Sequence, residues 1–367
     1  MKEYLYDYQI WSYILLMISS IVITLISIPS IIHVANLHSL YDIASDTRKK
    51  HKNGIPRLGG IAIFVSFTIT LLLFCKVDTV IPVKYLLASC IIMFAMGVKD
   101  DLCGINAGTK ICIQFVAAFI LVVPGDIRLS SMHGILNVYE LSYIPGATLS
   151  IMFIILITNA FNLIDGVDGL AATTGIIVNG TFSILFIYMH EFELAAVSLT
   201  MIGAIFGFLK FNFSPAKIFM GDTGSLLIGI ISAVMAIKFM ELNQADINKT
   251  PQIYAVPAVA LAILIGPVSD TLRVFTIRLS NGKSPFIADR NHIHHRMLKL
   301  GFNHMQTTVI LASTNLLTIA FAIIFVNFGD LVIIGCTVTV SLIFNWMLTY
   351  FIRSRARESY ALRNFFI

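Results

Sequence analysis

The sequence predicts an all-α integral membrane protein: about eleven transmembrane helices in a single polytopic domain, 1–367. Three observations predict it. Of the 367 residues, 57% are hydrophobic and 12% charged, against roughly 25% charged in a soluble domain. Mean hydropathy is +0.86. Apolar runs near the ~20 residues needed to cross a bilayer recur along the whole chain. No polar stretch between them exceeds about 30 residues, so no soluble domain is expected. Backbone in lipid must satisfy its own hydrogen bonds, and runs of this length do so as helices.

The spans fall in order at 11–32, 58–75, 80–98, 108–124, 144–161, 170–189, 194–210, 221–240, 254–277, 308–327 and 331–352. The first lacks a small-residue cleavage site and reads as a retained helix. The fourth is short and ends at Pro124-Gly125. The segment after it, 125–143, is too polar to span. Its stretches Ile127–Leu129 and Leu136–Tyr139 flank a Ser/His/Gly turn, which predicts a small extracytoplasmic hairpin. The ninth span carries Pro267, Asp270 and Arg273, a kink with an i, i+3 ion pair that lowers the cost of burying both charges. Cys75, Cys90, Cys103, Cys112 and Cys336 form no CxxC pair and read as small hydrophobes.

Lys and Arg accumulate on the cytoplasmic side of membrane proteins. An outside N-terminus puts 19 of the 25 inside, including the C-terminal tail. That predicts N-terminus out and C-terminus in. All five polar clusters then share the cytoplasmic face: KKHKNGIPRLGG, KDDLCGINAGTK, NAFNLIDGVDGL, FNFSPAKIFMGDTGS and ADRNHIHHRMLKLG, in loops 45–60, 99–110, 159–170, 211–225 and 281–301. One site built from five loops is the economical reading.

The clusters are rich in carboxylates. Asp100 and Asp101 are adjacent, Asp165 and Asp168 are three apart and would share a helical face, and Asp222 opens the eighth span. Carboxylates gathered this way repel unless a cation joins them. Hard oxygen ligands suggest Mg²⁺, which takes one or two carboxylates plus substrate phosphate oxygens. Helix N-capping is the competing role, strongest for Asp222. Lys110 and the group His292, His294, His295 and Arg296, with Arg290, stand among the acids. Cations there imply an anionic phosphate or pyrophosphate substrate. A basic patch for anionic headgroups is the rival reading; zinc would want a better-spaced set than HIHH. Gly59, Gly60, Gly166, Gly169, Gly221 and Gly224 would let backbone approach a ligand. Phe219 could stack on a base or simply pack.

Together these motifs resemble the five cytoplasmic loops of the polyprenyl-phosphate N-acetylhexosamine-1-phosphate transferases (glycosyltransferase family 4), in the same order over about residues 45 to 305. HIHH and eleven spans are more similar to the WecA/TagO-like branch than to the MraY branch of that superfamily. The resemblance implies a sugar-1-phosphate transfer from a UDP-sugar, usually UDP-GlcNAc, to undecaprenyl phosphate, releasing UMP. This would initiate a cell-envelope polysaccharide at the bacterial plasma membrane. It implies Asp222 and Asn162 as ligands of Mg²⁺, with Mn²⁺ as the substitute ion. Asp100 and Asp101 would orient or deprotonate the lipid phosphate, and Lys110 would hold a phosphate. Asn159, Asp165, Asp168, Asn212 and Phe219 would line the uridine pocket. His292, His294, His295 and Arg296 would face sugar and pyrophosphate.

Rival readings remain at this stage. Another UDP-N-acetyl sugar or a phospho-MurNAc-pentapeptide donor would use the same machinery. A secondary transporter would place ionisable residues on broken helices near the midplane, whereas these collect at one face, with Pro267, Asp270 and Arg273 in the ninth span as the exception. A scaffold protein would need neither a divalent cation nor Asp222. Membrane lipids are expected partners, a homodimer is an open assembly, and no nucleic-acid partner is expected.

Overall fold

The computed structural model describes residues 2–41, 54–74, 82–245, 253–282 and 291–365. The predicted loop portions 45–53 and 283–290, with the RKKHK stretch, Lys283 and Arg290, lie outside the described residues, as do Cys75 and Lys249. Each of the eleven predicted spans falls on a helix: α1 (Lys2–Leu37), α2 (Gly59–Phe74), α3 (Val83–Cys103), α4 (Ala107–Val122), α5 (Tyr143–Ile164), α6 (Leu170–Tyr188), α7 (Phe192–Asn212), α8 (Gly221–Ala245), α9 (Val256–Ser280), α11 (His304–Ile324) and α12 (Asp330–Phe365). A short α10 (Ile293–Lys299) begins inside the HIHH motif, with His292 as its N-cap. Among the described residues, eight helices are long and apolar enough to cross a membrane. Of the other three long helices, α2 and α4 are apolar but have 16 residues each, and α3 has 21 but carries Lys84 and the Lys99-Asp100-Asp101 run. The chain is a multi-pass helical membrane protein.

α8 is the axis of the bundle, packed by α2, α3, α5, α6, α7 and α9. Every residue from Thr223 to Ile237 is buried, as expected of a helix apolar on all sides. α1 and α12 instead leave Trp11, Ile26, Leu37, Leu331, Leu342 and Trp346 exposed, the surface that lipid covers. Ser20 ties α1 inward through Ser66 Oγ at 2.9 Å and the Thr200 carbonyl at 2.8 Å.

Gly59 and Gly60 do helix work and do not themselves line the cleft described below. Their amides donate to the Phe219 and Met220 carbonyls at 3.0 and 2.9 Å, which satisfies two orphan donors at the start of α2. A Cβ on Gly60 would lie 2.1 Å from the Gly224 nitrogen, so α2 and α8 meet backbone to backbone. This contact fixes the first turn of α8, which carries Asp222.

The 125–143 segment reverses direction as predicted but builds no ladder. Ser131 and Glu140 form an isolated antiparallel bridge, and Leu141 N donates to Ser130 O at 2.8 Å. Leu136 and Asn137, expected in the second strand, lie in the turn itself, with φ of 56° and 60°. Left-handed backbone cannot continue a strand. Ile127 and Leu129 are buried, and Glu241 of α8 holds Ser130 through its amide and hydroxyl at 2.8 and 2.6 Å.

Candidate active site

Four of the five predicted clusters meet at one end of the bundle through direct hydrogen bonds, and the fifth touches them. At the centre is Lys110, on the first turn of α4. Its Nζ donates to Asp100 Oδ2 at 3.1 Å and Asn162 Oδ1 at 3.2 Å, and contacts Asp222 Oδ2. These oxygens come from the last turns of α3 and α5 and the first turn of α8. Asn162 Nδ2 is held by Ser225 Oγ at 3.1 Å, which turns its carbonyl oxygen toward the lysine.

That donor set fits a hard divalent cation. Two carboxylates and an amide oxygen converge on one cationic nitrogen, and Mg²⁺ needs no more protein ligands when substrate phosphates supply the rest. Among the described residues no group of three His, Cys, Asp or Glu could by itself hold a metal ion, so an ion at this donor set would take its remaining ligands from substrate or water.

The adjacent carboxylates divide their labour. Asp100 faces Lys110 and also accepts from Ile105 N at 2.5 Å. Asp101 caps α8 from outside its own chain segment: Oδ1 accepts from Asp222 N at 2.7 Å, and Oδ2 from Thr223 N at 3.0 Å and Thr223 Oγ1 at 2.6 Å. A carboxylate at a helix N-terminus satisfies orphan amides and meets the positive end of the dipole. Gly221 makes this approach feasible. Its φ is 73°, and a Cβ there would stand 2.6 Å from both Asp101 oxygens.

Asp165 and Asp168 do not share a helical face. α5 ends at Ile164, and Gly169 at φ 75° starts α6. The left-handed glycine turns 165–169 into a tight reversal, so the two side chains diverge. Burial first, then the charges of Asp222 and Asp101, push the Asp165 carboxyl up to about 7. Asp168 Oδ1 pairs with His304 Nδ1 at 3.1 Å, its Oδ2 accepts from Ala216 N at 3.3 Å, and its carbonyl accepts from Thr308 Oγ1 at 3.0 Å. Asn212 clips the same turn, accepting from Gly169 N and donating to Ile218 O, both at 2.9 Å.

A cleft of about 970 Å³ opens beside this centre, lined by Asn162, Asp165, Asp168, Asn212, Phe219 and Asp222, together with Arg57 and His304. The last two were not singled out as site residues in the sequence. Arg57 gave a weak signal as a cation inside the first motif. His304 gave none, because a lone polar residue before an apolar run reads as a cap.

Other candidates stand back from the cleft. Asn159 pairs amide to amide with Gln114 across α4 and α5, at 2.7 and 3.2 Å. Arg296 is buried and turned to α12, donating to Asn345 Oδ1 at 3.2 Å, Asn345 O at 3.1 Å and Thr349 Oγ1 at 2.5 Å. His292 binds Asp270 at 2.8 Å. His294 is buried against Gly166, where a Cβ would lie 2.3 Å from its Nε2; burial and the neighbouring His295 drive its pKa down to about 3. It is therefore a neutral imidazole, and its buried Nε2 has no hydrogen-bond partner among the described residues. His295 is half-buried, its ring 4.3 Å from that of His294.

Fold and site together define a membrane-embedded protein whose polar cleft gathers acids, a lysine and amides at one end of an apolar bundle. The sequence profile of glycosyl transferase family 4 matches residues 83–240. The chain is 30% identical over 295 residues to a probable undecaprenyl-phosphate N-acetylglucosaminyl 1-phosphate transferase of Bacillus subtilis (strain 168), covering 80% of this chain and 79% of the relative. It is 32% identical over 270 residues to the undecaprenyl-phosphate alpha-N-acetylglucosaminyl 1-phosphate transferase of Escherichia coli O157:H7, covering 72% and 71%. It is 31% identical over 287 residues to the decaprenyl-phosphate N-acetylglucosaminephosphotransferase of Mycobacterium tuberculosis (strain ATCC 25618 / H37Rv), covering 72% and 70%. This chain belongs to glycosyl transferase family 4.

Proposed function

We propose that this protein transfers GlcNAc-1-phosphate from UDP-GlcNAc to undecaprenyl phosphate, giving undecaprenyl-pyrophosphoryl-GlcNAc and UMP. An oxygen of the lipid phosphate attacks the phosphorus that carries the sugar, and the bond from that phosphorus to the UMP oxygen breaks. The observation that carries the reading is the convergence of Asp100, Asn162 and Asp222 on the Lys110 ammonium beside an open polar cleft. Asp222, Asp100 and Asn162 would hold Mg²⁺, which when bound neutralises charge on the donor's pyrophosphate. Lys110 then binds a phosphate oxygen, having only to exchange one anionic partner for another. Asp165, Asp168, Asn212, Phe219, Arg57 and His304 form the walls for the uridine end of the donor. A phosphate monoester is already largely ionised at pH 7, so positioning outweighs base strength. The uneven distribution of Lys and Arg supports a cleft on the cytoplasmic face of a bacterial plasma membrane, with eleven spans and an outside N-terminus.

Purified protein with undecaprenyl phosphate, Mg²⁺ and a panel of UDP-sugars, scored by UMP release, tests the reading. Release with UDP-GlcNAc that requires both lipid and metal supports it. Release only with a different UDP-N-acetyl sugar reassigns the donor, and no release with any of them removes the transferase reading.

A further inference from the structure

The polar group inside α9 is unused by the reaction above, yet its carboxylate is buried and well hydrogen-bonded. Asp270 is 2% exposed. It accepts three hydrogen bonds: from His292 Nδ1 at 2.8 Å, Ile293 N at 3.0 Å and Arg273 at 3.1 Å. Arg273 also donates to the Asn291 carbonyl. An ionised carboxylate only accepts, so His292 carries its proton on Nδ1. A buried charge is tolerated when it is paired and fully hydrogen-bonded, and all three partners of Asp270 belong to or touch residues 291–293.

The geometry runs onward to the cleft. Asp270 lies ten residues before the end of α9, about 15 Å along the helix axis. His292 is thus seated well back along α9 from its end, beside Asp270. The His292 ring stacks on His294, centroids 5.7 Å apart and planes within 5°. His294 Nε2 fills the space over Gly166, between Asp165 and Asp168. His294 and Asp270 also line a narrow, mostly apolar cavity with Ile164 and Leu170, which flank the 165–169 turn.

We propose that Asp270 is a positioning residue that clamps the start of α10 and, through His292 and His294, holds the 165–169 turn in the form that presents Asp165 and Asp168 to the cleft. The clamp needs no substrate and rests on the transferase reading only where turnover is measured.

The test is hydrogen–deuterium exchange of the purified full-length protein, wild type against Asp270→Asn. The substitution keeps the shape and one acceptor oxygen but turns an NH₂ toward His292. Faster exchange is expected in peptides covering 291–299 and 165–170, with α8 unchanged. Acceleration confined to α9, with 165–170 as in the wild type, overturns the proposal. If Asp270→Asn does not fold, Gly166→Ala perturbs the same line from its other end. It should loosen 291–299, and unchanged exchange there overturns the proposal too. In turnover, Asp270→Asn should lower kcat/KM for the UDP-sugar by about tenfold or more, and adding His294→Gln should worsen it little. Multiplying losses in the double variant would mean that the two residues act separately and would refute the clamp. Wild-type protein that releases no UMP but shows the exchange pattern would sink the transferase reading and leave the clamp standing.

Discussion

Asp101→Asn and Asp100→Asn should fail in different ways, although the residues are neighbours. Asp101 takes three hydrogen bonds from the first turn of α8, two of them on Oδ2. An asparagine has one acceptor oxygen and one NH₂, so at most one arm survives. The other arm points a donor at donors. Hydrogen bonds to a charged group are worth about 1.5–3 kcal/mol, and stranding a buried donor costs about 1–3 kcal/mol. Relief of the cost of burying a carboxylate offsets part of this. A net loss of about 2–4 kcal/mol follows, at or above the upper end of the N-cap range of about 0.5–2 kcal/mol. Asp100→Asn keeps an oxygen for Ile105 N and strands no helix amide, so its stability should stay within about 1 kcal/mol of wild type. It removes one of two carboxylates around the cation position. The Mg²⁺ concentration for half-maximal turnover should rise at least about tenfold, equivalent to about 1.4 kcal/mol of binding. Thermal unfolding in detergent and Mg²⁺-titrated UMP release separate the two. A wild-type Tm for Asp101→Asn, or a large loss of Tm for Asp100→Asn with unchanged metal demand, would refute the division of labour.

Three further outcomes are expected. Asp222→Asn should abolish turnover in a folded, inserted protein, because an amide lacks the charge the metal needs; near-normal rates at saturating Mg²⁺ would favour a purely structural role. His294, neutral down to about pH 3 when folded but titrating near 6.5 when unfolded, should make the protein lose stability as pH falls through 6.5 toward 3, by about 1.4 kcal/mol per pH unit at most. The stability is full above pH 6.5, and Tm measured against pH should flatten in His294→Gln; an equal acid slope in both proteins would contradict the burial argument. Engineered cysteines in 241–250 should be labelled from outside the cell and those in 45–55 should not, and the reverse pattern would overturn the orientation.

Much of the fold was legible because hydropathy is a one-dimensional signal. All eleven apolar runs lie on helices, and the runs long enough to be unambiguous missed by only a few residues at most ends. The meeting of the clusters was legible for the same reason: alternating spans return every second loop to one side. What was hidden is direction. Consecutive residues on a helix point about 100° apart, so Asp100 and Asp101, identical as letters, face a lysine and a helix end. Arg296 stood among three histidines and read as an anion ligand, yet its partners Asn345 and Thr349 lie 49 and 53 residues on, in a helix with no motif.

The same blindness explains Asp270. From the sequence it was an ion pair inside a span, and it was the one feature that suited a transporter. The structure pairs it with Arg273 as expected, but its closest partner is His292, 22 residues later. A charge that looks stranded in an apolar helix is level with the polar cluster, because residues 291–293 lie beside it. Such a charge marks where the chain returns, and only the fold reveals what returns there. The residue that best fitted the rival reading is thereby joined to the cleft that supports the enzyme reading.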